Sequence, residues 1–328
     1  IKPHQQRLQY DTEYYVTIEQ AAVKQTDFKG VYGRAWTFKT KSAPVVTGPN
    51  YEVKISHTDP NADFYTLQGA IDFCATQIDL NAPKTFRMDD GIYQEIIYLR
   101  DQSNITIKGN AGDNTAVNIQ YDNSNDINGG IGGGTNIDQF APAGTIVPSS
   151  GGRSVVILDG NSDKIRFENV TIENAYGWTL GKVVLFEDCQ LHAPTGTRAV
   201  MQARVRAGYL GYVFLNSRFT VGEGVTNSTL IYQFEPDNLT FLHCTFADVY
   251  GPNFVGENKP LTPAVPTVST GCKLYNCKTE SGSDIYQSIP AAVRNTVLQL
   301  SKEQYDQYFG TREIIMSWDG YTDAAWFK

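Results

Sequence analysis

Two carboxyl groups held close together with different pKa values can act as a pair in general acid–base chemistry, because one is ionised while the other keeps its proton. Between residues 154 and 277, Glu187 and Asp188 are the one pair of adjacent carboxylates in the sequence. Asp188 is therefore a candidate catalytic residue. The pair also lies inside a repeated phrase described below, and that position favours a turn-forming role over a catalytic one.

A second group of polar residues lies at 200–206, where polar and apolar residues alternate as in a strand with one buried face. We expect Gln202, Arg204 and Arg206 to share the outer face, and Gln202 and Arg204 are further catalytic candidates. Two guanidinium groups on one face can pair in bidentate fashion with the carboxylates of an acidic ligand. The alternative is an ordinary solvated face of a strand.

Composition and motifs exclude several other classes of function. The chain has 27 basic and 35 acidic residues, a net charge of −8, which argues against binding to nucleic acid or to an anionic membrane. No apolar run approaches the roughly 20 residues of a membrane span. The four histidines lack metal-ligand spacing, and no G-x-S-x-G phrase occurs. The glycine-rich stretch at 129–134 is followed by Thr135 where a dinucleotide-binding motif needs glycine. We therefore expect no metal and no cofactor.

One short phrase recurs through 154–277 and predicts the fold. Its copies read FENVTI at 167–172, FEDCQL at 186–191, FLNSRF at 214–219, FLHCTF at 241–246 and LYNCKT at 274–279. The copies are rich in Val, Ile, Phe and Thr and alternate in polarity, so they are predicted to be strands. Each copy must stack on the next to bury its apolar side chains. We predict an all-β chain that forms a right-handed parallel β-helix with one rung per repeat.

The cysteines follow the same repeat. Cys189, Cys244 and Cys277 occupy a position of the phrase that Val170 and Ser217 also occupy. We interpret them as small apolar residues stacked in the core rather than as members of disulfides.

The sequence before the repeats suggests three parts. Residues 1–42 contain two alternating strands, at 14–18 and 36–40, and resemble the closing strands of the bacterial Ig-like domains that precede extracellular enzymes. Two or three strands are only marginally stable alone. Residues 43–50 have the composition of a linker. Residues 51–328 hold the predicted β-helix.

The β-helix part is predicted to open with a strand at 51–56 and a short amphipathic helix at 66–77, whose apolar residues fall at helical spacing. A helix at this place can cap the first rung, whose strand edge and apolar core are otherwise open. Alternating strands follow at 91–99 and 104–109.

Four phrases then resemble the pectin methylesterase family, in the family's order and spacing. They read DFYTLQGAIDF at 63–73, DGIYQEIIYL at 90–99, NITIKGN at 104–110 and FENVTIENAYG at 167–177. The segment from Leu298 to Trp318 resembles the family's closing helix and final tryptophan segment, and Ser301 with Gln304 predicts a capping box for that helix. The likeness spans about 51–328.

The resemblance implies hydrolysis of the methyl esters of galacturonan, without a metal. In the family, one aspartate attacks the ester and a second acts as general acid and then base, helped by glutamines and an arginine in QDTL-, DFIFG- and GRxW-like phrases. This chain departs from that pattern. Tyr176, Gly177 or Trp178 stands where an aspartate belongs, the segment 228–234 has no arginine, and about two rungs of sequence are missing between Gly177 and Trp178.

Two functions therefore follow from the sequence. The resemblance implies a secreted or cell-surface bacterial carbohydrate esterase acting on pectin. The missing aspartates favour instead an inactive β-helix that binds an acidic polysaccharide or serves as a structural surface module. In either case the partner is pectin or another polysaccharide that contains uronates, and Trp178, Arg204, Arg206, Tyr232 and Gln233 are the candidate binding residues.

Overall fold

A computed structural model describes most of the chain, in ranges separated by gaps. These ranges are 8–24, 27–121, 155–159, 162–173, 183–194, 201–203, 211–226, 230–233, 239–252, 254, 272–295 and 297–318. For residues 157, 159, 201–203, 231–233 and 293, the description covers the backbone alone. The chain divides into two compact units, Ile1–Thr47 and Gly48–Lys328.

The first unit contains a pair of short antiparallel strands, β1 (Glu13–Tyr15) and β2 (Thr37–Lys39), and one turn of 3-10 helix at Gln20–Ala22. Tyr14 and Phe38 are register partners, and their rings stack with centroids 5.8 Å apart. An isolated bridge between Ile18 and Val31 extends the pairing. The two predicted strands are therefore present, and their assignment to an Ig-like domain stays a prediction.

The second unit is built on a parallel sheet of nine strands, here called sheet A. All of its neighbouring strands run parallel. In chain order the strands are β3 (Tyr51–Ile55), β4 (Lys84–Met88), β7 (Ser103–Lys108), β10 (Asp163–Glu168), β12 (Val183–Glu187), β15 (Gly211–Leu215), β18 (Leu239–Leu242), β20 (Cys272–Tyr275) and β22 (Val297–Gln299).

A second parallel sheet of seven strands, sheet B, takes the strand that follows each sheet A strand from β4 to β20. Its members are β5 (Gly91–Gln94), β8 (Val117–Gln120), β11 (Thr171–Glu173), β13 (Gln190–Ala193), β16 (Arg218–Val221), β19 (Thr245–Phe246) and β21 (Lys278–Thr279).

Four further strands follow sheet B strands and pair in parallel, as two pairs that we call the third side of the solenoid. One pair is β6 (Ile97–Arg100) with β9 (Val156–Asp159), and the other is β14 (Met201–Ala203) with β17 (Ile231–Gln233). Strands that visit three sides in turn and pair with the next turn in parallel are the topology of a parallel β-helix, which confirms the predicted class. The run predicted as one strand at 91–99 is two, β5 and β6, because the chain turns a corner between them.

Phenylalanines of the repeated phrase stack inside the solenoid from rung to rung. The rings of Phe167, Phe186, Phe214 and Phe241 are successive register partners in sheet A, with centroids 4.9–5.1 Å apart and nearly parallel planes. All four side chains are buried. A shift of one residue would move a ring to the opposite face of its strand, so this column fixes the register.

The polar third residue of each phrase forms the turn between sheet A and sheet B. In all five copies this residue has a left-handed backbone, with φ between 49° and 55°. Asn, Asp and His tolerate this conformation better than most side chains. The positions are Asn169, Asp188, Asn216, His243 and Asn276. We call this column the turn ladder. Each of the first four donates its backbone N–H to a carbonyl oxygen of the next rung, at 2.9–3.1 Å.

The next residue of the phrase turns into the core. The thiols of Cys189, Cys244 and Cys277 and the hydroxyl of Ser217 each donate to the carbonyl oxygen of a phenylalanine one rung back, at 3.2–3.4 Å. All five cysteines of the chain are buried and free, which confirms the interpretation made from the repeat. Burial raises the pKa of the Cys189 thiol to about 12, so this thiol stays protonated and unreactive.

The predicted first helix is α1 (Leu67–Gln77), and Thr66 accepts a hydrogen bond from the Gly69 N–H at 3.1 Å as its N-cap. The carboxylate of Glu95, at the corner between β5 and β6, accepts from the backbone N–H groups of Leu67 and Gln68 at 3.0 and 2.8 Å. A negative charge at a helix N-terminus is stabilising. The apolar side of α1 is buried and the helix packs against β3, β4 and β6, as expected of a cap on the first rung.

Two short helices precede β22 in the sequence and two follow it: α2 (Ile285–Ser288), α3 (Ala291–Arg294), α4 (Lys302–Tyr308) and α5 (Arg312–Met316). A further turn of 3-10 helix lies at Asp248–Tyr250. The capping box predicted for Ser301 and Gln304 is present at the start of α4. Phe309, Ile315 and Trp318 pack in one buried cluster with Leu185 and Val213 of sheet A. The closing helices therefore cover part of the outer face of sheet A.

Candidate functional site

Three of the residues predicted to act in catalysis or ligand binding, Gln202, Tyr232 and Gln233, lie on strands of the third side of the solenoid. Strand β14 pairs with β17 in a register that places Gln202 opposite Tyr232 and Ala203 opposite Gln233. The fold therefore brings two candidates, Gln202 and Tyr232, into one row across neighbouring strands. Gln233 belongs to the adjacent row, and successive rows of a sheet alternate between its two faces.

Three other predicted residues, Trp178, Arg204 and Arg206, lie outside the described residues. In the sequence, Arg204 follows the last residue of β14 directly. Their roles remain predictions.

The rungs on either side of 174–182 stack directly on each other. Strand β10 pairs with β12 over four register partners, and β11 pairs with β13 over three. Only residues 174–182 connect β11 to β12, whereas 194–210 and 222–238 make the corresponding connections of the next two rungs. The solenoid is thus continuous where the resemblance leaves about two rungs missing, because β10 and β11 pair directly with β12 and β13.

The structure places Asp188 in the turn ladder, at the corner between β12 and β13. Strand β13 then separates this corner from the third side, so the fold does not bring Asp188 together with Gln202. The backbone of Asp188 donates to the Leu215 carbonyl oxygen at 3.0 Å and accepts from Asn114 Nδ2 at 2.8 Å. These bonds tie the corner at Asp188 to the end of β15 and to the connection before β8, which is the turn-forming role that the repeat favours.

Burial is the largest of the effects that raise the pKa of Asp188 above its ordinary value, and the neighbouring charge of Glu187 acts in the same direction. A hydrogen bond with the Asn216 side chain opposes them. A carboxyl group with a raised pKa is suited to general acid catalysis. Here the same environment has a structural consequence, because folding makes ionisation of Asp188 less favourable than it is in the unfolded chain.

We expect Asp188→Asn to stabilise the protein at pH 7 by about 0.5 kcal/mol, the scale of a partly exposed like-charge contact. A raised folded-state pKa means that the ionised carboxylate costs stability as pH rises above the ordinary pKa of aspartate. Asparagine keeps the shape of the protonated acid and tolerates a left-handed backbone. The measurement is urea unfolding of both proteins at pH 7 and below about pH 3.5, where the difference should vanish. Lower stability of the variant at pH 7 would contradict this account of the turn ladder.

Charged side chains also gather on the outer face of sheet A beside Asp188, where sequence reasoning predicted no site. Arg166 Nη2 lies 2.8 Å from Glu168 Oε2, and Arg166 Nη1 lies 4.0 Å from Glu187 Oε2. Lys108 Nζ donates to Glu168 Oε1 at 2.8 Å, and Arg312 Nη2 donates to Glu187 Oε1 at 2.6 Å. We call these five residues the charge network. It joins strands β7, β10 and β12 to helix α5.

The carboxylates of the charge network are almost fully buried, with side-chain exposures of 9% for Glu168 and 8% for Glu187. Burial acts to raise the pKa of Glu168, but the hydrogen bond from Lys108 and the charge of Arg166 outweigh it and leave the pKa below its ordinary value. Glu168 is therefore ionised and engaged by cations. The network is suited to holding strands and α5 together rather than to attacking a substrate.

Among the described residues, no group of three or more His, Cys, Asp or Glu side chains is placed to hold a metal ion. The described helices include none that is long and apolar enough to cross a membrane.

No protein-family model matches the chain. No curated protein matches its sequence either.

Solved structures of pectin methylesterases are similar to this chain at low sequence identity. The enzyme from Erwinia chrysanthemi is 12% identical, with 81% of this chain and 96% of that chain covered and a TM-score of 0.43. The enzyme from Yersinia enterocolitica is 16% identical, with 77% and 98% covered and a TM-score of 0.42. The carrot enzyme is 14% identical, with 83% and 94% covered and a TM-score of 0.42. Likeness at this level carries no argument about activity, so the fold assignment rests on the chain's own sheet topology: this protein is a parallel β-helix.

Proposed function

We propose that this protein binds a uronate-containing polysaccharide of the pectin class at the third side of its solenoid, outside the cell, without hydrolysing its methyl esters. The ligand class comes from the four phrases that resemble the pectin methylesterase family, between residues 63 and 177. The place comes from the pairing of β14 with β17, which sets Gln202 and Tyr232 in one row.

An acidic polysaccharide fits the residues that follow this row in the sequence. Arg204 and Arg206 come shortly after β14 in the sequence, and the alternation of polar and apolar residues at 200–206 predicts that they share a face with Gln202. Arginine pairs with carboxylates through two parallel hydrogen bonds, which suits the carboxylate repeated along a galacturonan chain. Tyr232 is the register partner of Gln202, and tyrosine is a residue type that packs on ligands at many binding surfaces.

The direct stacking of rungs across 174–182 is the observation that carries the second half of the proposal. Hydrolysis of a methyl ester as in the pectin methylesterase family needs two carboxyl groups on neighbouring rungs, one ionised and one protonated. The resemblance locates them where this chain joins β11 to β12 through the nine residues NAYGWTLGK, which include neither aspartate nor glutamate. The preceding carboxylate, Glu173, belongs to β11 itself, so the connection offers no acid of its own.

Ester hydrolysis is the second candidate, and one observation favours it. Burial raises the pKa of Asp188, and the ionised carboxylate of Glu168 on the neighbouring rung acts in the same direction. A carboxyl group with a raised pKa beside one with a lowered pKa, on neighbouring rungs, is the direction of electrostatic difference that such chemistry requires. Both groups are engaged in the turn ladder and the charge network, however, and they lie away from the row of Gln202 and Tyr232.

Affinity electrophoresis in gels that contain polygalacturonate tests the binding site. We expect the gel to retard the wild-type protein, and the double variant Arg204→Ala/Arg206→Ala to bind about tenfold more weakly, because two charge-assisted hydrogen-bonding groups are lost. Arg87→Ala is the matched control, since Arg87 is an exposed arginine on sheet A that pairs with Glu52. Equal retardation of all three proteins would remove the third side as the binding site.

A further inference from the structure

A second polar surface lies on the outer face of sheet B. Ile119, Ile172, Leu191 and Phe219 are buried, and the residues before and after each of them point to the other face of the sheet. The residues that follow them are polar in four consecutive rungs. They are Gln120, Glu173, His192 and Thr220, and we call them the polar row.

The strand register aligns the polar row across its rungs. Glu173 is the register partner of His192, and His192 is the partner of Thr220. Gln120 joins the row because it follows Ile119, which is the partner of Ile172.

The carboxylate of Glu173 is held in a fixed orientation by amides of the previous rung. Asn118 Nδ2 donates to Glu173 Oε1 at 2.6 Å. The Gln120 amide, oriented with its nitrogen toward Glu173, donates to both carboxylate oxygens at 3.0 and 3.1 Å. Glu173 remains partly exposed, so its oxygens still have capacity to accept from a ligand.

His192 is oriented in the same way by the rung that follows. Its Nδ1 lies 2.9 Å from Thr220 Oγ1. When the hydroxyl donates to Nδ1, the ring proton is on Nε2, which then serves as a donor. Among the described residues, no hydrogen bond joins His192 to its register partner Glu173. An oriented carboxylate and an oriented imidazole therefore stand on adjacent rungs without a hydrogen bond between them.

We propose that the polar row binds a linear, uncharged polysaccharide whose chain crosses successive rungs, parallel to the axis of the solenoid. Neighbouring parallel strands are about 4.8 Å apart, a spacing comparable to the rise of one sugar in an extended chain. Sugar hydroxyl groups both donate and accept, so one hydroxyl can donate to Glu173 while another accepts from His192. The carboxylate of Glu173 repels the carboxylates of a uronate chain, which selects a neutral polymer.

The neighbouring row of sheet B, which contains Arg218 and Lys278, does not cancel the repulsion between Glu173 and a uronate chain. Its exposed cation Arg218 lies 3.5 Å from Glu280, so a carboxylate already offsets its charge. The next cation of that row, Lys278, lies two rungs beyond Arg218. The polar row is also distinct from the third side, because it belongs to the sheet B strands rather than to β14 and β17.

Affinity electrophoresis in unsubstituted xylan, a neutral β-1,4-linked polymer, tests the proposal with the whole chain. We expect xylan to retard the wild-type protein and Arg87→Ala equally, and to bind Glu173→Ala and His192→Ala about tenfold more weakly, because each loses a hydrogen bond to a polar ligand. Polygalacturonate at equal concentration should not displace xylan. Absence of retardation of the wild type, or equal retardation of the variants, would overturn the proposal.

A second measurement tests the polar row in the wild-type protein, without any substitution. Diethyl pyrocarbonate modifies exposed imidazoles, and peptide mapping follows the rate at His192. We expect xylohexaose, an uncharged extended oligosaccharide, to slow modification of His192. His57, whose ring stacks on Tyr65 and contacts Tyr93, should react at an unchanged rate. An unchanged rate at His192 under saturating oligosaccharide would count against the polar row as the site.

Discussion

Replacement of Arg166 by methionine is expected to lower the free energy of unfolding by about 3 kcal/mol, because it leaves two buried carboxylates without the cation between them. Glu168 and Glu187 are register partners on neighbouring strands and would then repel each other. Lys108 still pairs with Glu168 and Arg312 with Glu187. The expected loss of stability is therefore at the lower end of the range of about 3–5 kcal/mol for breaking a buried ion pair. Urea unfolding at pH 7 measures the difference.

Arg87→Met is the matched control for this prediction. Arg87 lies on the same sheet, and its pair with Glu52 is exposed, with side-chain exposures of 46% and 57%. Exposed pairs contribute about 1 kcal/mol or less. If the two methionine variants lost equal stability, the charge network would be no more than a set of surface ion pairs, and its role in holding α5 against sheet A would be wrong.

Replacement of Lys273 by methionine is expected to raise stability at pH 7 by up to about 3 kcal/mol, from a pKa difference converted at about 1.36 kcal/mol for each unit. Lys273 lies on β20 and is 2% exposed. Burial lowers its pKa to about 8 from the ordinary 10.5. The folded chain therefore disfavours the ammonium form, and below pH 8 this cost is present in full.

The pH dependence gives the sign of this effect. Between about pH 8 and 10.5 the unfolded chain binds more protons at Lys273 than the folded chain, so stability contributed by this residue rises with pH. Buried thiols such as Cys189 act in the opposite direction, because their folded-state pKa is raised. The useful quantity is therefore the difference between wild type and Lys273→Met, which should shrink from pH 8 to 10.5. A constant difference would show that Lys273 is not the group that titrates.

The repeated phrase was sufficient to predict the β-helix because each of its positions has one physical task. The phenylalanine stacks inside, the third residue makes a left-handed turn, and the fourth bonds to the previous rung. Local signals were equally direct at Thr66 and Ser301, whose hydroxyls cap α1 and α4. In these cases the partners lie within a few residues or at equivalent positions of successive repeats.

The charge network could not be predicted in this way. Glu168 and Lys108 are 60 residues apart, and Arg312 and Glu187 are 125 residues apart. The repeat does not state which charged side chain of one rung meets which of another, and α5 lies outside the repeat. Arg166 and Glu168 alternate with apolar residues and therefore have the sequence pattern of an ordinary solvated strand.

The polar row had a signal that the sequence interpretation did not use. Glu173, His192 and Thr220 each follow the last residue of a phrase, so their alignment across three rungs is implied by the repeat itself. What the repeat did not contain is the orientation of Glu173 by Asn118 and Gln120, which belong to a rung without the phrase.

Release of methanol from highly methyl-esterified pectin, measured together with retention on polygalacturonate, tests the central claim most directly. The account predicts that the 328-residue chain is retained by polygalacturonate and releases no more methanol from the esterified pectin than a heat-inactivated control. Methanol release that is proportional to protein concentration and lost on heating would contradict it. Hydrolysis would then occur although the connection between β11 and β12 contains no acidic residue.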